Sequence, residues 1–489
     1  MTRSIRRLGV ALIVLYAALF VQLNVVQVLR AEEYNDNPAN TREIVRDFSR
    51  PRGSIISADG TVLARSIEVG GRFERQREYP TGDLFGPITG WFSFNAGADG
   101  VEKEYNDELA GRTAASSVED VADLFVDEER TNDVVLSLHT AVQQVARDAL
   151  GDRRGSVVAL DPRNGAILAL WSNPSFDPNP LSSIDQDVAR DTRSILLADP
   201  RKPLLARSYR ETFFPGSTFK IVTGSAGLQS GEVTATNPVY PIRSGFVPPG
   251  TRAPIRNFGG GSCGGDLIQG LEVSCNTVFA QMAYDIGGDA LVGTAEDFGF
   301  NSAPPIDLPQ AALSPIGTVD NFNDNGPVLA QTGIGQNDVT STPLQMAMAA
   351  GAIGNGGVVM RPHVMAEVRD DEGDVVRAYR SSPWRTAITP QNAEVMRGAM
   401  INVAENGTAT RLRVPGVATA GKTGTAQVGT TSDLSHAWIV GFAPADAPRV
   451  AIAVIVENVP GGGSEATGGR LAAPIGQQVL QAGLAATAG

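Results

Sequence analysis

The chain opens on an unbroken apolar run. From Leu8 to Leu29 the clearly polar members are Gln22, Asn24 and Gln27, all near the far end. At about 22 residues and about 1.5 Å per residue, the run can cross a bilayer core of about 30 Å. Arg3, Arg6 and Arg7 precede it, and such a basic flank places the N-terminus in the cytoplasm and the rest outside. A cleaved secretory signal has the same outline. The length of the run, with no small-x-small site after it, favours a retained anchor, with Arg30-Ala31-Glu32-Glu33 opening an aqueous stalk. A polar stretch, Ala31 to Arg50, follows. Apolar and β-branched runs about Asp59-Gly60 then predict a hairpin over Arg52 to Ala64. Gly100-Val101-Glu102, with Tyr105, Asn106 and Leu109, predicts a short helix. Glu119 to Asn132 is acidic and reads as a surface linker.

From Asp133 the pattern becomes denser. Val134, Leu136 and Leu138 alternate as a strand, and Ala141 to Leu150 reads as a helix. Ser156 to Leu160 and Ala166 to Leu170 flank Asp161-Pro162-Arg163-Asn164-Gly165, a strand, turn and strand. Helices are predicted over Ser217 to about Leu228, Ser274 to Ile286 and Pro343 to Asn355. The last is rich in Ala and Met, so Met346 and Met348 read as core filling. Lys422 to Gln427 reads as an edge strand, and Ala437 to Ala443 pairs back to it. A turn at Pro444 to Pro448 leads into Val450 to Val456, completing an antiparallel meander. A final helix is predicted from about Ala472 to Leu484.

Composition narrows the picture. A chain of 489 residues suits two or three domains, and its 42% apolar and 19% charged residues are those of a globular protein. The formal net charge of −13 argues against nucleic acid as a partner. His139, His363 and His436 stand far apart, so with the two cysteines they make a zinc site unexpected; no metal or other cofactor is expected. Gly416 to Thr423 has the spacing of a phosphate-binding loop, but such a loop must open a helix, and Gly424 to Gly429 is a poor helix start. Gly259 to Gly264 fits a dinucleotide pattern without a strand before it. Both matches read as chance. In an exported chain Cys263 and Cys275 can oxidise to a disulfide. Closing a loop of about 13 residues would contribute about 3 kcal/mol in the entropic account. The alternative is two free thiols.

The chemistry gathers at three places. Phe214-Pro215-Gly216-Ser217-Thr218-Phe219-Lys220 sets a hydroxyl and an amine three residues apart, hence on one face of a helix. Serine is a weak nucleophile that needs a base, and a lysine serves only if its pKa is drawn toward neutral. Ser-x-x-Lys alone occurs often by chance. Here Ser274-Cys275-Asn276 follows it, and Lys422-Thr423-Gly424-Thr425 comes later. On this reading Ser217 is the nucleophile, Lys220 its base and Ser274 the proton relay to the leaving amine. Asn276 is expected to bind the substrate amide and the lysine. Lys422 would lower the pKa of Lys220 and attract a carboxylate, with the Thr423 and Thr425 hydroxyls as donors to it. Gly424 leaves the strand bare for an added peptide strand. The backbone N–H groups of Ser217 and Thr425 would form an oxyanion hole, in which one donor is worth about 3 kcal/mol.

The three motifs in this order resemble those of penicillin-binding proteins and class A β-lactamases. Together with the anchor, the Arg52-Gly53 hairpin, Gly100-x-Glu102 and Ala472-Ala473-Pro474-Ile475, they resemble class B penicillin-binding proteins over nearly the whole chain. Within these the chain is similar to the short actinobacterial penicillin-binding protein A type. Asn337 departs from the pattern, standing after Gly335-Gln336 where the family usually has a second glycine.

The resemblance implies an α+β fold. An anchor (residues 1–30) and a small pedestal-like or dimerisation-like N-terminal domain (31–132) would precede a transpeptidase domain (133–489) with an antiparallel sheet between helices. It implies a penicillin-sensitive D,D-transpeptidase on the outer side of the cell membrane, acting in division or shape maintenance. Stem peptides ending in D-Ala-D-Ala would acylate Ser217, and β-lactams would mimic them. Roughly 100 residues lie between anchor and residue 133, at the low edge of the usual domain size of about 100–150. A glycosyltransferase is therefore not expected there, and a separate multi-spanning polymerase is implied, with division or elongation proteins. A β-lactamase, a D,D-carboxypeptidase, a β-lactam sensor and a division scaffold are the rivals. No Glu-x-x-Leu-Asn segment for deacylation lies between Ser274 and Lys422.

Overall fold

The computed structural model describes residues 2–25, 48–70, 73–112, 131–427, 434–459 and 468–488. The expected stalk and polar stretch lie outside the described residues as far as residue 47, and the acidic linker as far as residue 130. The chain forms two units, residues 1–51 with 67–76, and residues 52–66 with 77–489. In the first, a helix spans Thr2–Asn24. Its stretch from Arg6 to Asn24 is long and apolar enough to cross a membrane.

The second unit is built on a five-stranded antiparallel sheet. Its strands are β1 (Gly155–Leu160), β2 (Ile167–Asn173), β3 (Ala420–Gln427), β4 (Ser435–Ala443) and β5 (Val450–Val459), in the order β3-β4-β5-β1-β2. All nine residues of β4 are buried, as befits a strand covered on both faces. Alternation sends neighbouring residues to opposite faces. Ile439 and Ile452 meet Gly476 of the C-terminal helix Gly468–Ala486, which packs with Thr140–Leu150 on that side. Ala451 and Leu160 meet Gly351 of the buried helix Pro343–Gly354 on the other. Met346 and Met348 are buried in that helix, as the pattern predicted. Helix α1 (Lys220–Ser230), helix α2 (Asn276–Asp297) and the helix Pro390–Glu405 pack together on the Pro343–Gly354 side.

A second sheet takes in the predicted hairpin. Ile55–Ile56 pairs antiparallel with Val62–Glu68, turning at Gly60 (φ +80°), and parallel with Asp133–Leu136. The turn at Asp59-Gly60 is therefore as read. Gly100–Glu104 and Asn106–Leu109 form the expected short helices. They place Glu102, wholly buried, between two arginines: Arg52 Nε donates to it at 2.7 Å and Arg77 Nε at 2.6 Å. Burial alone would raise the Glu102 carboxyl, but Arg77 and Arg52 together hold it below its ordinary value.

Three predicted helix boundaries shift. Gly216–Phe219 is a single 3₁₀ turn, and the α-helix starts at Lys220 and ends at the left-handed Gly231. The helix expected from Ser274 starts at Asn276, because Ser274 has φ +59°, outside helical space. It breaks at Gly287 (φ +81°, ψ 171°), next to the expected end at Ile286, and a second helical stretch continues to Asp297, burying Leu291, Val292 and Ala295. The last helix begins at Gly468, where an added Cβ would sit 1.9 Å from the Trp438 carbonyl oxygen.

Candidate active site

Ser217 stands at the open end of α1, on a turn held from three sides. Gly216 N–H donates to the Gly335 carbonyl (2.9 Å), Thr218 Oγ1 to the Pro215 carbonyl (2.7 Å), and Trp438 Nε1 of β4 to the Phe214 carbonyl (3.1 Å). Gly216 adopts φ +52°, and a Cβ there would lie 2.8 Å from the Thr425 carbonyl oxygen. Only glycine allows both. The close approach brings the backbone of the serine turn against the backbone of β3, where two N–H groups can converge on one oxygen. The Ser217 hydroxyl is half-buried and has no hydrogen-bond partner among the described residues.

One turn along, the Lys220 amine is wholly buried. It donates to Asn276 Oδ1 (2.7 Å), to the Ser274 carbonyl (2.7 Å) and, more weakly, to Ser274 Oγ (3.4 Å). Lys422 reaches the same hydroxyl from β3: its Nζ donates to Ser274 Oγ (2.8 Å) and to the Thr423 carbonyl (2.9 Å). Ser274 thus links the two amines. Burial, and then the charge of Lys422, draws the Lys220 amine well below its ordinary value. Burial draws Lys422 down to about 7. Two ammonium groups cannot both stay charged in so dry a place. Of the two, Lys220 is the one that its neighbour's charge also pushes down.

Ser274 keeps its left-handed backbone because the residues around it are tied down. Cys275 is bonded to Cys263, with Cα atoms 5.9 Å apart. Thr277 N–H donates to Asn257 Oδ1 (3.0 Å), and Asn276 Nδ2 to the Arg256 carbonyl (2.9 Å). The disulfide braces the loop that presents Ser274, the outcome favoured over two thiols.

These groups open into one cleft of about 940 Å³. Ser217, Ser274, Asn276, Thr423, Gly424 and Thr425 all line it. Thr423, Thr425 and Gln427 share one face of β3, the edge strand of its sheet. Strand, not helix, follows Lys422, which disposes of the phosphate-loop spacing. The structure therefore brings every expected site residue into one place. A buried amine of lowered pKa, a second buried lysine on the same hydroxyl, and a bare strand edge suit acyl transfer through a serine ester.

Sequence reasoning missed Thr408 and noted Gly335 without a role. Thr408 Oγ1 lies 2.6 Å from Thr423 Oγ1. Gly335 touches the serine turn: its Cβ would fall 1.9 Å from the Gly216 carbonyl oxygen. Asn337 now has a physical account. Its φ is +67°, a conformation that asparagine tolerates better than most side chains, so it can stand where a glycine would.

Comparison with known proteins agrees with this geometry. Residues 155–481 match the penicillin-binding protein transpeptidase domain, and residues 52–135 the penicillin-binding protein A dimerisation domain. The chain belongs to the penicillin-binding protein transpeptidase family, and to its class B type. It is 37% identical to the peptidoglycan D,D-transpeptidase PbpA of Mycolicibacterium smegmatis, over 99% of both chains. It is 36% identical to that of Mycobacterium tuberculosis at the same coverage. It superposes on penicillin-binding protein A of M. tuberculosis in its ceftriaxone acyl-enzyme complex with a TM-score of 0.83, covering 90% of this chain and 100% of that one. With the penicillin G acyl-enzyme complex the TM-score is 0.82, covering 89% and 100%.

Proposed function

We propose that this chain cross-links peptidoglycan stem peptides as a D,D-transpeptidase, and that β-lactams acylate it at Ser217. The observation that carries the reading is the buried Lys220 amine, held by Asn276 and Ser274 with Lys422 beyond. The donor stem lies along β3 as an added strand. Its terminal carboxylate rests at Thr423 and Thr425, and its scissile carbonyl points between the N–H groups of Ser217 and Thr425. Lys220 takes the proton of Ser217 as the oxygen attacks. Ser274 passes a proton to the departing D-Ala, and Lys422 steadies the negative charge. The acceptor amine then enters where D-Ala left and runs the same steps backward.

Ser217 is displaced from Lys220 by a turn of 3₁₀ helix, and its hydroxyl makes no bond to the amine. In this reading the bond forms when a donor fills the cleft. The β-lactamase alternative needs a carboxylate to activate water; none lines the cleft among the described residues. The helix Thr2–Asn24 serves as a single anchor with the enzyme outside the membrane. Residues 31–132 are the N-terminal domain and 133–489 the catalytic one, and a multi-spanning polymerase with division or elongation proteins supplies the glycan. Full-length protein in detergent, given a stem pentapeptide ending in D-Ala-D-Ala, should release D-Ala and form a linked dimer, and penicillin should stop both. Hydrolysis alone would indicate a carboxypeptidase. Rapid turnover of penicillin would indicate a β-lactamase.

A further inference from the structure

The cleft has the opposite charge to the molecule around it. The chain carries a formal net charge of −13. Yet the charged residues lining the cleft, among those described, are Arg256, Arg411 and Arg470, with no carboxylate. Arg256 lies on the wall of Asn276, whose side chain bonds the Arg256 carbonyl. Arg411 and Arg470 lie on the other wall, past the Thr423 end of β3. The chain there is closely packed. Thr408 bonds Thr423, and a Cβ on Gly469 would fall 2.6 Å from the Thr408 carbonyl oxygen and 3.7 Å from Thr423 Cγ2.

Arg411 is held firmly in place. It sits in the 3₁₀ turn Thr410–Leu412, and Leu412 is wholly buried under β3 and β4. Three glycines make room for that side chain: a Cβ at Gly421, Gly441 or Gly476 would come within 2.4, 2.7 and 2.9 Å of it. The backbone of Arg411 is thus fixed at the rim. Its side chain is exposed and has no ion-pair or hydrogen-bond partner among the described residues. An arginine so placed is available to a planar anion.

Direction along the strand decides which anion. The serine turn meets β3 at Gly424 and Thr425, so the scissile bond lies there. Thr423 is the next residue on the same face, and the segment that carries Arg411 packs beside it, Thr408 on Thr423 and Leu412 on Gly421. With the donor's terminal carboxylate at Thr423 and Thr425, as in the transpeptidase reading, that side belongs to the leaving group in the first half of the reaction and to the acceptor in the second. The leaving D-residue bears a carboxylate on the carbon that carries its amine. An acceptor of the same chemistry fits the vacated place.

We propose that Arg411 selects acceptor amines that bear a free carboxylate on the amine-bearing carbon, over the corresponding carboxamides. The inference rests on the transpeptidase reading and deepens it. In the step concerned, the neutral amine attacks the Ser217 ester and a C–N bond forms. The C–O bond to Ser217 breaks, and one amine proton is carried by Lys220 and Ser274 to the serine oxygen. The carboxylate takes no part in the bond changes; Arg411 holds it, and so aims the amine.

The test is the partition of one acyl-enzyme between water and two matched acceptors. Full-length protein is acylated by a peptide ending in D-Ala-D-Ala. D-serine and D-serinamide are then compared at equal concentrations of neutral amine. The partition ratio is read after acylation, so it does not depend on how fast the donor reacts. Wild type should favour D-serine by roughly tenfold, with the preference shrinking as salt is added. Arg411→Gln should reduce it to about twofold or less, and Arg411→Lys should fall between the two, since the charge is retained and the planar fork is lost. Equal partition in wild type, or an Arg411→Gln variant that discriminates like wild type, overturns the inference while leaving the transpeptidase reading intact. Absence of any peptide adduct on Ser217 overturns that reading, and this inference with it.

Discussion

Lys220 and Lys422 donate to one hydroxyl, that of Ser274, and their shared burial forces a division of roles. Burial is the larger cause of the lowered Lys220 pKa and the charge of Lys422 the smaller. Lys422→Gln should therefore move the rise of acylation rate with pH to higher pH, without returning Lys220 to the ordinary lysine range. The carboxylate contact is lost as well, so acylation by a carboxylate-bearing β-lactam should recover partly, not fully, at alkaline pH. Second-order acylation rates against pH for both proteins decide this, and identical profiles would refute it. Stability moves with the same protons. Lys422 is drawn from 10.5 to about 7, so between those values the unfolded chain binds more protons than the folded one. The Lys422 contribution to stability then rises with pH across that window. Urea midpoints should gain more from pH 7 to 10 in wild type than in Lys422→Gln. The motif residues were legible because each is a chemical type at a fixed spacing. The left-handed backbone of Ser274 was not, because the ties through Asn257 and the disulfide come from residues before it in the chain.

Elements read well from the sequence wherever one physical signal dominated. Strands β1, β2, β4 and β5 show as apolar runs because both faces of the sheet are covered, and β3 shows through its motif instead. The Asp59-Gly60 turn shows because its backbone demands glycine. Pairings between distant elements left no such trace. Nothing in the sequence marked Arg77 as the second partner of Glu102, or Leu412 as the plug beneath β3. Glu102→Ala should cost roughly 3–5 kcal/mol in denaturant unfolding, because it strands two buried guanidinium groups. A loss below about 1 kcal/mol would mean that water reaches both arginines. Gly216→Ala tests the serine turn. The added methyl clashes with the Thr425 carbonyl and strains a positive φ, so acylation should fall at least tenfold. Retained acylation would show that the turn and β3 need not approach so closely.

At the scale of the whole molecule, the anchor and the catalytic unit are separable claims. Deleting residues 2–25 should move the protein from the membrane fraction to the soluble one without loss of penicillin labelling. If the truncated protein stayed with membranes, another part of the chain would have to bind them. The resemblance that pointed to an external enzyme depended on features spread from Arg3 to Ile475. The three motifs of the catalytic region carried the chemistry, and the anchor and N-terminal segments added the class and the external placement. The central claim is that Ser217 forms a long-lived ester, and mass spectrometry of the penicillin-treated protein tests it most directly. The account predicts one adduct, on the peptide containing Ser217, absent from Ser217→Ala and released slowly. An adduct on another serine, or one that vanishes as fast as it forms, would contradict it.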